Sequence, residues 1–224
     1  MGNDQEKEAA ARASLRFIKN GQVVGLGTGS TAAHFIRLLG EQVQHGLKIR
    51  GIPTSERSRD LALSLGIPLT TLDDFQEIDV TVDGADEVDP QLRLIKGGGG
   101  ACLREKIVAS ATKQFVIVAD ASKQVATLGR FPLPVEVIPF AQALVMKRIA
   151  ALGPRVQLRM AGGKPYVTDQ NNHILDCHFG QIADAEGLAR QLSEMPGIVE
   201  HGLFIGMAKT VLLAKGSEIV ELHR

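Results

Sequence analysis

Cysteine is scarce in this 224-residue chain: there are two, Cys102 and Cys177, and they form no CxxC pair. So few thiols build no disulfide framework, and the plain reading is two reduced cysteines in a cytoplasmic protein. Long apolar runs are absent too; nothing approaches the roughly 20 consecutive apolar residues that a membrane span needs. The N-terminal stretch Asn3-Asp4-Gln5-Glu6-Lys7-Glu8 is polar and acidic, unlike the apolar centre of a signal peptide. Neither sign of charge dominates, since 25 basic residues balance 25 acidic ones. That argues against a nucleic-acid surface as the main partner, and the missing apolar run against a membrane. His173 and His178 stand five apart with no third ligand at a recognisable spacing, so no metal site is expected. There is no internal repeat and no low-complexity segment.

What remains is an ordinary globular composition, 44% hydrophobic and 22% charged, in a length that suits one or two domains. The apolar pattern predicts a helix over 5–19, a strand over 22–26, a helix from the turn at 27–31 to about Gly40, and a strand over 48–52. Ser55 is placed to cap a helix over 56–65 that Gly66 stops. Strands are expected at 67–72, 78–82, 91–95 and 114–119, with a helix over 102–112 between the last two. Strands alternating with helices imply a parallel α/β sheet of Rossmann-like type. From Pro132 the pattern changes. A strand at 135–138, a helix at 140–152, strands near 155–160, 166–168 and 173–177, a helix at 184–194 and a strand at 198–201 suggest a small α+β, ferredoxin-like domain. The expected organisation is therefore an α/β domain of residues 1–131 plus 206–224 and a smaller domain of residues 132–205. Two short strands close the chain at 211–214 and 219–222.

Gly25-Leu26-Gly27-Thr28-Gly29-Ser30-Thr31 sits between a strand and a helix. Such a turn aims backbone N–H groups at an anion, and the helix dipole adds to the attraction. Ser30 and Thr31 supply hydroxyl donors. A dinucleotide fingerprint would need Gly at position 30 and an acidic residue about 20 positions on, and neither is present. A P-loop fails because no Gly-Lys-Ser/Thr follows. Phosphate monoester binding is the favoured reading, with a nucleotide or a purely structural turn as alternatives.

The densest chemistry lies between Asp83 and Glu105. Asp83-Gly84-Ala85-Asp86 follows a strand, and Lys96-Gly97-Gly98-Gly99-Gly100 follows another. In open α/β sheets, ligands sit beyond the carboxyl ends of strands, so both segments point to one crevice. An acidic turn of Asp-Gly type is the bland alternative. On the 102–112 helix, Leu103, Ile107 and Ala111 share a face expected to pack on the sheet. Glu105 lies opposite among Ala101, Ala109 and Thr112. A carboxylate among small residues suits a general base. Taken alone, though, an exposed glutamate beside Arg104 and Lys106 is the more ordinary reading. Cys102 has no histidine base near it in sequence and reads as a packing residue.

Several motifs in order carry a resemblance over nearly the whole chain. They are residues 25–32, Val82-Asp83-Gly84-Ala85-Asp86-Glu87, Ile95 to Ala101, Arg104-Glu105-Lys106-Ile107, Ala119-Asp120-Ala121-Ser122-Lys123 and Pro132 to Val137. Together they resemble type A ribose-5-phosphate isomerase. The resemblance implies an aldose–ketose isomerase that interconverts ribose 5-phosphate and ribulose 5-phosphate through an enediolate, without metal or organic cofactor, as a homodimer. It implies Glu105 as general base, Lys96 as the stabiliser of the enediolate oxygen, Asp83 in ring opening and Asp86 in orienting hydroxyls. Thr28, Gly29, Ser30, Thr31, Gly84, Ala85, Gly97, Gly98, Gly99, Lys123 and Lys7 would hold the substrate. Gly206-Met207-Ala208-Lys209 departs from the family's more polar turn.

Three other readings compete. A non-catalytic sugar-phosphate sensor would keep the phosphate turn without needing Glu105 and Lys96 together. A sugar-phosphate deaminase or lactonase would use a histidine, for which His34 is the candidate. A nicotinamide-dependent reductase is weakened at Ser30.

Overall fold

A computed structural model describes residues 4–216 and 218–224; Asn3, at the head of the polar N-terminal stretch, lies outside them. The helices are α1 (Asp4–Ser14), α2 (Ser30–Gln44), α3 (Glu56–Ser64), α4 (Cys102–Ser110), α5 (Gln142–Ala150) and α6 (Ala185–Ser193). The strands begin with β1 (Val23–Leu26), β2 (Arg50–Pro53), β3 (Ile78–Asp83), β4 (Glu87–Val88), β5 (Leu94–Ile95), β6 (Thr112–Asp120), β7 (Leu133–Val137) and β8 (Arg155–Leu158). They continue with β9 (Met160–Ala161), β10 (Lys164–Pro165), β11 (His173–His178), β12 (Ile198–His201), β13 (Leu203–Phe204), β14 (Thr210–Lys215) and β15 (Glu218–His223). No described helix is long and apolar enough to cross a membrane.

The described chain forms two compact units. The first holds the residues up to Ala85, Arg104–Gln124 and Gly206–Arg224. It is built on a six-stranded sheet of order β15-β14-β6-β3-β1-β2, parallel except for the edge strand β15. β1 and the latter part of β6 read as apolar runs, as suits a parallel sheet covered on both faces, while β3 alternates apolar residues with Asp79, Thr81 and Asp83. Phe35, Ile36 and Leu39 of α2 and Ala10 and Ala11 of α1 pack with Val24, Leu26, Val80, Val82, Val116 and Val118. Ser55 caps α3 by accepting the Ser58 N–H, as the sequence suggests. The C-terminal strands rejoin this sheet, β14 lying parallel to β6 with Thr210 opposite Val116.

The second unit holds Asp86–Leu103 and Val125–Ile205. Its main sheet is antiparallel, of order β12-β7-β11-β8. With α5 after β7 and α6 after β11, this is the βαββαβ arrangement of ferredoxin-like folds. Val135, Val137, Val145, Ile149, Leu175, Leu188 and Leu192 form its core. A second small sheet, of order β13-β5-β4, carries the segment that leads to the four glycines.

Three sequence expectations are corrected. Residues 67–72 make only a single bridge, Leu69 to Gly51, because Pro68 has no N–H with which to extend a ladder. Residues 166–168 make one bridge, Val167 to His173; the strand there is Lys164–Pro165, ended by its own proline. On α4 the buried stripe is Cys102, Glu105, Val108 and Ala109, while Ile107 is 43% exposed. Nine residues make only about two and a half turns, too few for Ile107 to set the face. Val108, packed with Val23, Ile52 and Ile78, sets it instead.

Candidate active site

In the first unit the carboxyl ends of β6, β3 and β1 lie side by side. The chain leaves β1 toward β2 on one side, while β3 lies on the other. This is a topological switch point, where open α/β sheets bind ligands. β1 runs into the glycine turn, β3 ends at Asp83, and β6 ends at Asp120 before the short turn Ala121–Lys123.

Asp83 is fully buried. Its Oδ1 accepts the N–H of Thr28 at 3.0 Å and that of Gly84 at 2.7 Å. Gly27 has to lack a side chain here, since a Cβ would stand 2.3 Å from Asp83 Oδ1. Beneath the turn is a buried hydroxyl cluster. Thr28 Oγ1 lies 2.8 Å from Thr54 Oγ1 and donates to Ser55 Oγ at 2.8 Å, and Ser58 Oγ donates to Gly27 O at 2.6 Å. The side chain of Thr28 therefore helps to hold the turn.

α2 starts at Ser30, and Gly29, at φ 102°, precedes it. The first N–H groups of a helix have no intrahelical partner and attract anions. The hydroxyls of Ser30 and Thr31 make no hydrogen bond among the described residues, so backbone N–H groups and two hydroxyls are available as donors at this end of the sheet. Lys123 is half-buried and makes no ion pair among the described residues. Asp120 orders the turn that carries it, accepting the Ser122 N–H at 3.1 Å. Lys7 lies half-buried on α1 and has no polar partner among the described residues. His34 faces Asp4 instead, Nε2 to Oδ1 at 3.1 Å.

Glu105 is 3% exposed, which corrects the reading of an exposed helix glutamate. Its neighbour Arg104 turns to Glu56, Nη1 to Oε1 at 2.7 Å.

In the second unit Lys96 follows β5 and is 2% exposed, its Nζ 5.5 Å from the centroid of the Phe204 ring. Asp86 Oδ2 accepts the Gly98 N–H at 2.8 Å. Gly98 must be glycine, because a Cβ would meet Asp86 Oδ1 at 2.6 Å. Asp86 and the glycine run are thus brought together. Cys102 is fully buried with its Sγ 3.7 Å from Glu136 Oε2, a packing position. Glu136 also accepts from Thr168 Oγ1 at 2.8 Å and Asn172 Nδ2 at 3.0 Å. Among the described residues no group of three metal-ligating side chains converges.

The family model for ribose 5-phosphate isomerase A (phosphoriboisomerase A) matches residues 50–218. The chain belongs to the ribose 5-phosphate isomerase A family. A curated relative named ribose-5-phosphate isomerase A, from Parvibaculum lavamentivorans, is 54% identical over 99% of this chain and 100% of its own. The solved ribose 5-phosphate isomerase A of Methanocaldococcus jannaschii is 40% identical, covers 99% of this chain and 100% of its own, and superposes with a TM-score of 0.95. A D-ribose-5-phosphate isomerase in complex with phospho-erythronic acid is 39% identical, covers 100% of both chains and has a TM-score of 0.96.

Sequence reasoning missed the residues of this family member that hold the glycine run. Arg159 donates from Nη1 to Gly97 O and Gly98 O, both at 3.1 Å, and pairs with Asp176 through two further bonds of 2.9 and 2.5 Å. Burial works against the charge on Arg159, but the bonds to Asp176 outweigh it and raise its pKa above the ordinary value. Tyr166 adds a long contact to Gly99 O at 3.5 Å. These partners lie some sixty positions away in the chain, and no local spacing announces them.

Proposed function

We propose that this chain interconverts D-ribose 5-phosphate and D-ribulose 5-phosphate. The observation that carries the reading is the burial of two ionisable side chains, Glu105 and Lys96, at 3% and 2% exposure. A buried charge is costly unless it is paired and hydrogen-bonded, and buried ionisable groups cluster at functional sites. A sensor would have no need of either.

The reaction removes a proton next to a carbonyl. In the open-chain aldose, Glu105 takes the C2 proton. The C–H electron pair forms the C1=C2 bond, and the C1 carbonyl pair moves to O1. The ammonium of Lys96 lowers the energy of the enediolate. Glu105 then returns its proton to C1 while the C2 hydroxyl gives up its own to O1, leaving the ketose. Asp83 assists opening of the furanose ring, and Asp86 orients substrate hydroxyls. Ser30, Thr31, the N-terminus of α2 and Lys123 take the phosphate, with Lys7 in a lesser role; Gly84, Ala85 and the glycine run contact the sugar. Proton return by the same carboxylate balances the reaction without a redox partner. Positioned base catalysis contributes about 10²–10⁴-fold and an oxyanion donor roughly 3–4 kcal/mol.

A homodimer in the cytoplasm is the accompanying reading. Phe140 is 98% exposed, Leu144 51% and Ile138 40%, a cluster in the second unit that a second copy would cover.

The test is turnover of ribose 5-phosphate in EDTA by wild type and Glu105→Gln. A loss of at least about 10²-fold in kcat supports the assignment; an undiminished variant removes Glu105 from it. Folded wild type that binds the sugar phosphate without turnover returns the sensor reading.

A further inference from the structure

The glycine run is oriented from one side by a single guanidinium. Arg159 follows β8 and Asp176 lies on β11, adjacent strands of the second unit. One edge of Arg159 is locked by Asp176, and Nη1 reaches the two successive carbonyls Gly97 O and Gly98 O, at 3.1 Å each.

In a trans peptide the N–H points opposite to the C=O. The peptide joining Gly97 and Gly98 obeys this: its oxygen faces Arg159 and its N–H faces Asp86 Oδ2, 2.8 Å away. The next peptide also turns its oxygen to Arg159. Its N–H, that of Gly99, is therefore directed away from Arg159. Gly99 is exposed, and its N–H makes no hydrogen bond among the described residues.

We propose that Arg159, fixed by Asp176, is a positioning residue for the isomerisation. It sets two peptide planes so that Asp86 is held in place and the Gly99 N–H is presented to an oxygen of the sugar phosphate. The inference rests on the reading that Asp86 and the glycine run serve the site.

Beside Arg159 is an open cleft of about 440 Å³, lined also by Asp176, Gln157 and His178. In Arg159→Ala, free guanidinium can enter this cleft and find both oxygens of Asp176. Misplacement by about 1 Å can cost on the order of 10²-fold in rate. The expected result is a kcat lowered by roughly 10- to 100-fold, with inhibition by inorganic phosphate unchanged. Guanidinium at non-denaturing concentration restores activity several-fold in Arg159→Ala and not in wild type. Arg159→Lys stays low, because an ammonium cannot engage Asp176 and two carbonyls in one plane. A folded Arg159→Ala that keeps wild-type kcat overturns the proposal, as does a loss that guanidinium leaves untouched. Should that variant not fold, Asp176→Asn carries the test: lowered kcat with unchanged phosphate inhibition supports the proposal, and wild-type kcat overturns it. If the site reading itself is wrong, Asp86→Asn keeps wild-type kcat, whatever Arg159 does.

Discussion

Gly27 lies so close to Asp83 that a Cβ on residue 27 would stand 2.3 Å from Asp83 Oδ1 and 2.6 Å from its Cα. The contact is with backbone as well as side chain, so nothing flexible can give way. It joins the end of β1 to the end of β3 and fixes where the glycine turn sits relative to the buried aspartate. Gly27→Ala must push the two strand ends apart. Overpacking of this kind costs about 1–3 kcal/mol, and the geometric error falls on the site. The expected outcome is a modest drop in melting temperature with kcat/KM lower by about 10²-fold. A folded variant with wild-type kinetics would remove the turn from the mechanism.

Much of this was legible in the chain because local rules and global fold agree. β1 and the latter part of β6 are apolar runs and β3 carries alternating apolar residues, and the residues proposed for the site sit at or just beyond their carboxyl ends. The tail strands could not be placed from sequence, because the pairing of β14 with β6 bridges about ninety positions and leaves no periodic trace. α4 misled for a different reason. Its apolar residues do not fall on one stripe, and the inward face includes Glu105, a charge that hydrophobic patterning assigns to solvent. Sequence periodicity goes astray where a charged residue is buried against its own preference, as Glu105 is.

Lys123 is a second point where kinetics should separate roles. It carries no ion pair among the described residues and follows β6, the strand that pairs with β3. A charge-assisted bond to phosphate contributes about 1.5–3 kcal/mol. Lys123→Ala is therefore expected to raise KM for ribose 5-phosphate by roughly 10- to 100-fold and to weaken inhibition by inorganic phosphate in parallel. The fall in kcat should be smaller. If KM is unchanged, another cation holds the phosphate.

Cys177 gives a pH-dependent expectation. Burial, aided by the charge of Asp176, pushes its thiol up to about 12 from 9.0. The folded state thus holds this proton more tightly than the unfolded chain does. Its contribution to stability is intact below pH 9 and is lost as pH rises from there toward about 12, at up to about 1.4 kcal/mol per pH unit. Urea midpoints measured from pH 8 to pH 11 should fall less steeply in Cys177→Ser than in wild type, whatever the baseline cost of the hydroxyl. Parallel slopes would mean that the thiol ionises without opening the fold. At pH 8 iodoacetamide should modify Cys177 only as fast as the chain unfolds.

Phe140 tests the proposed homodimer. It is 98% exposed in the turn before α5, and Leu144 follows four positions on, near Ile138. A large aromatic ring left in water forgoes about 1.5–3 kcal/mol of burial, and a cluster of three such residues is a surface in want of a partner. A second copy of the chain that covered this surface would bury Phe140, and buried aromatic anchors contribute at least about 2 kcal/mol. Phe140→Asp removes that burial and sets one charge against its symmetry mate. The dimer dissociation constant is expected to rise on the order of 10²-fold or more, giving monomer in sedimentation equilibrium at micromolar concentration. The core of the unit is untouched by a side chain this exposed, so the melting temperature should change only through the lost association. A Phe140→Asp protein that remains dimeric at all concentrations would place the interface elsewhere on the surface.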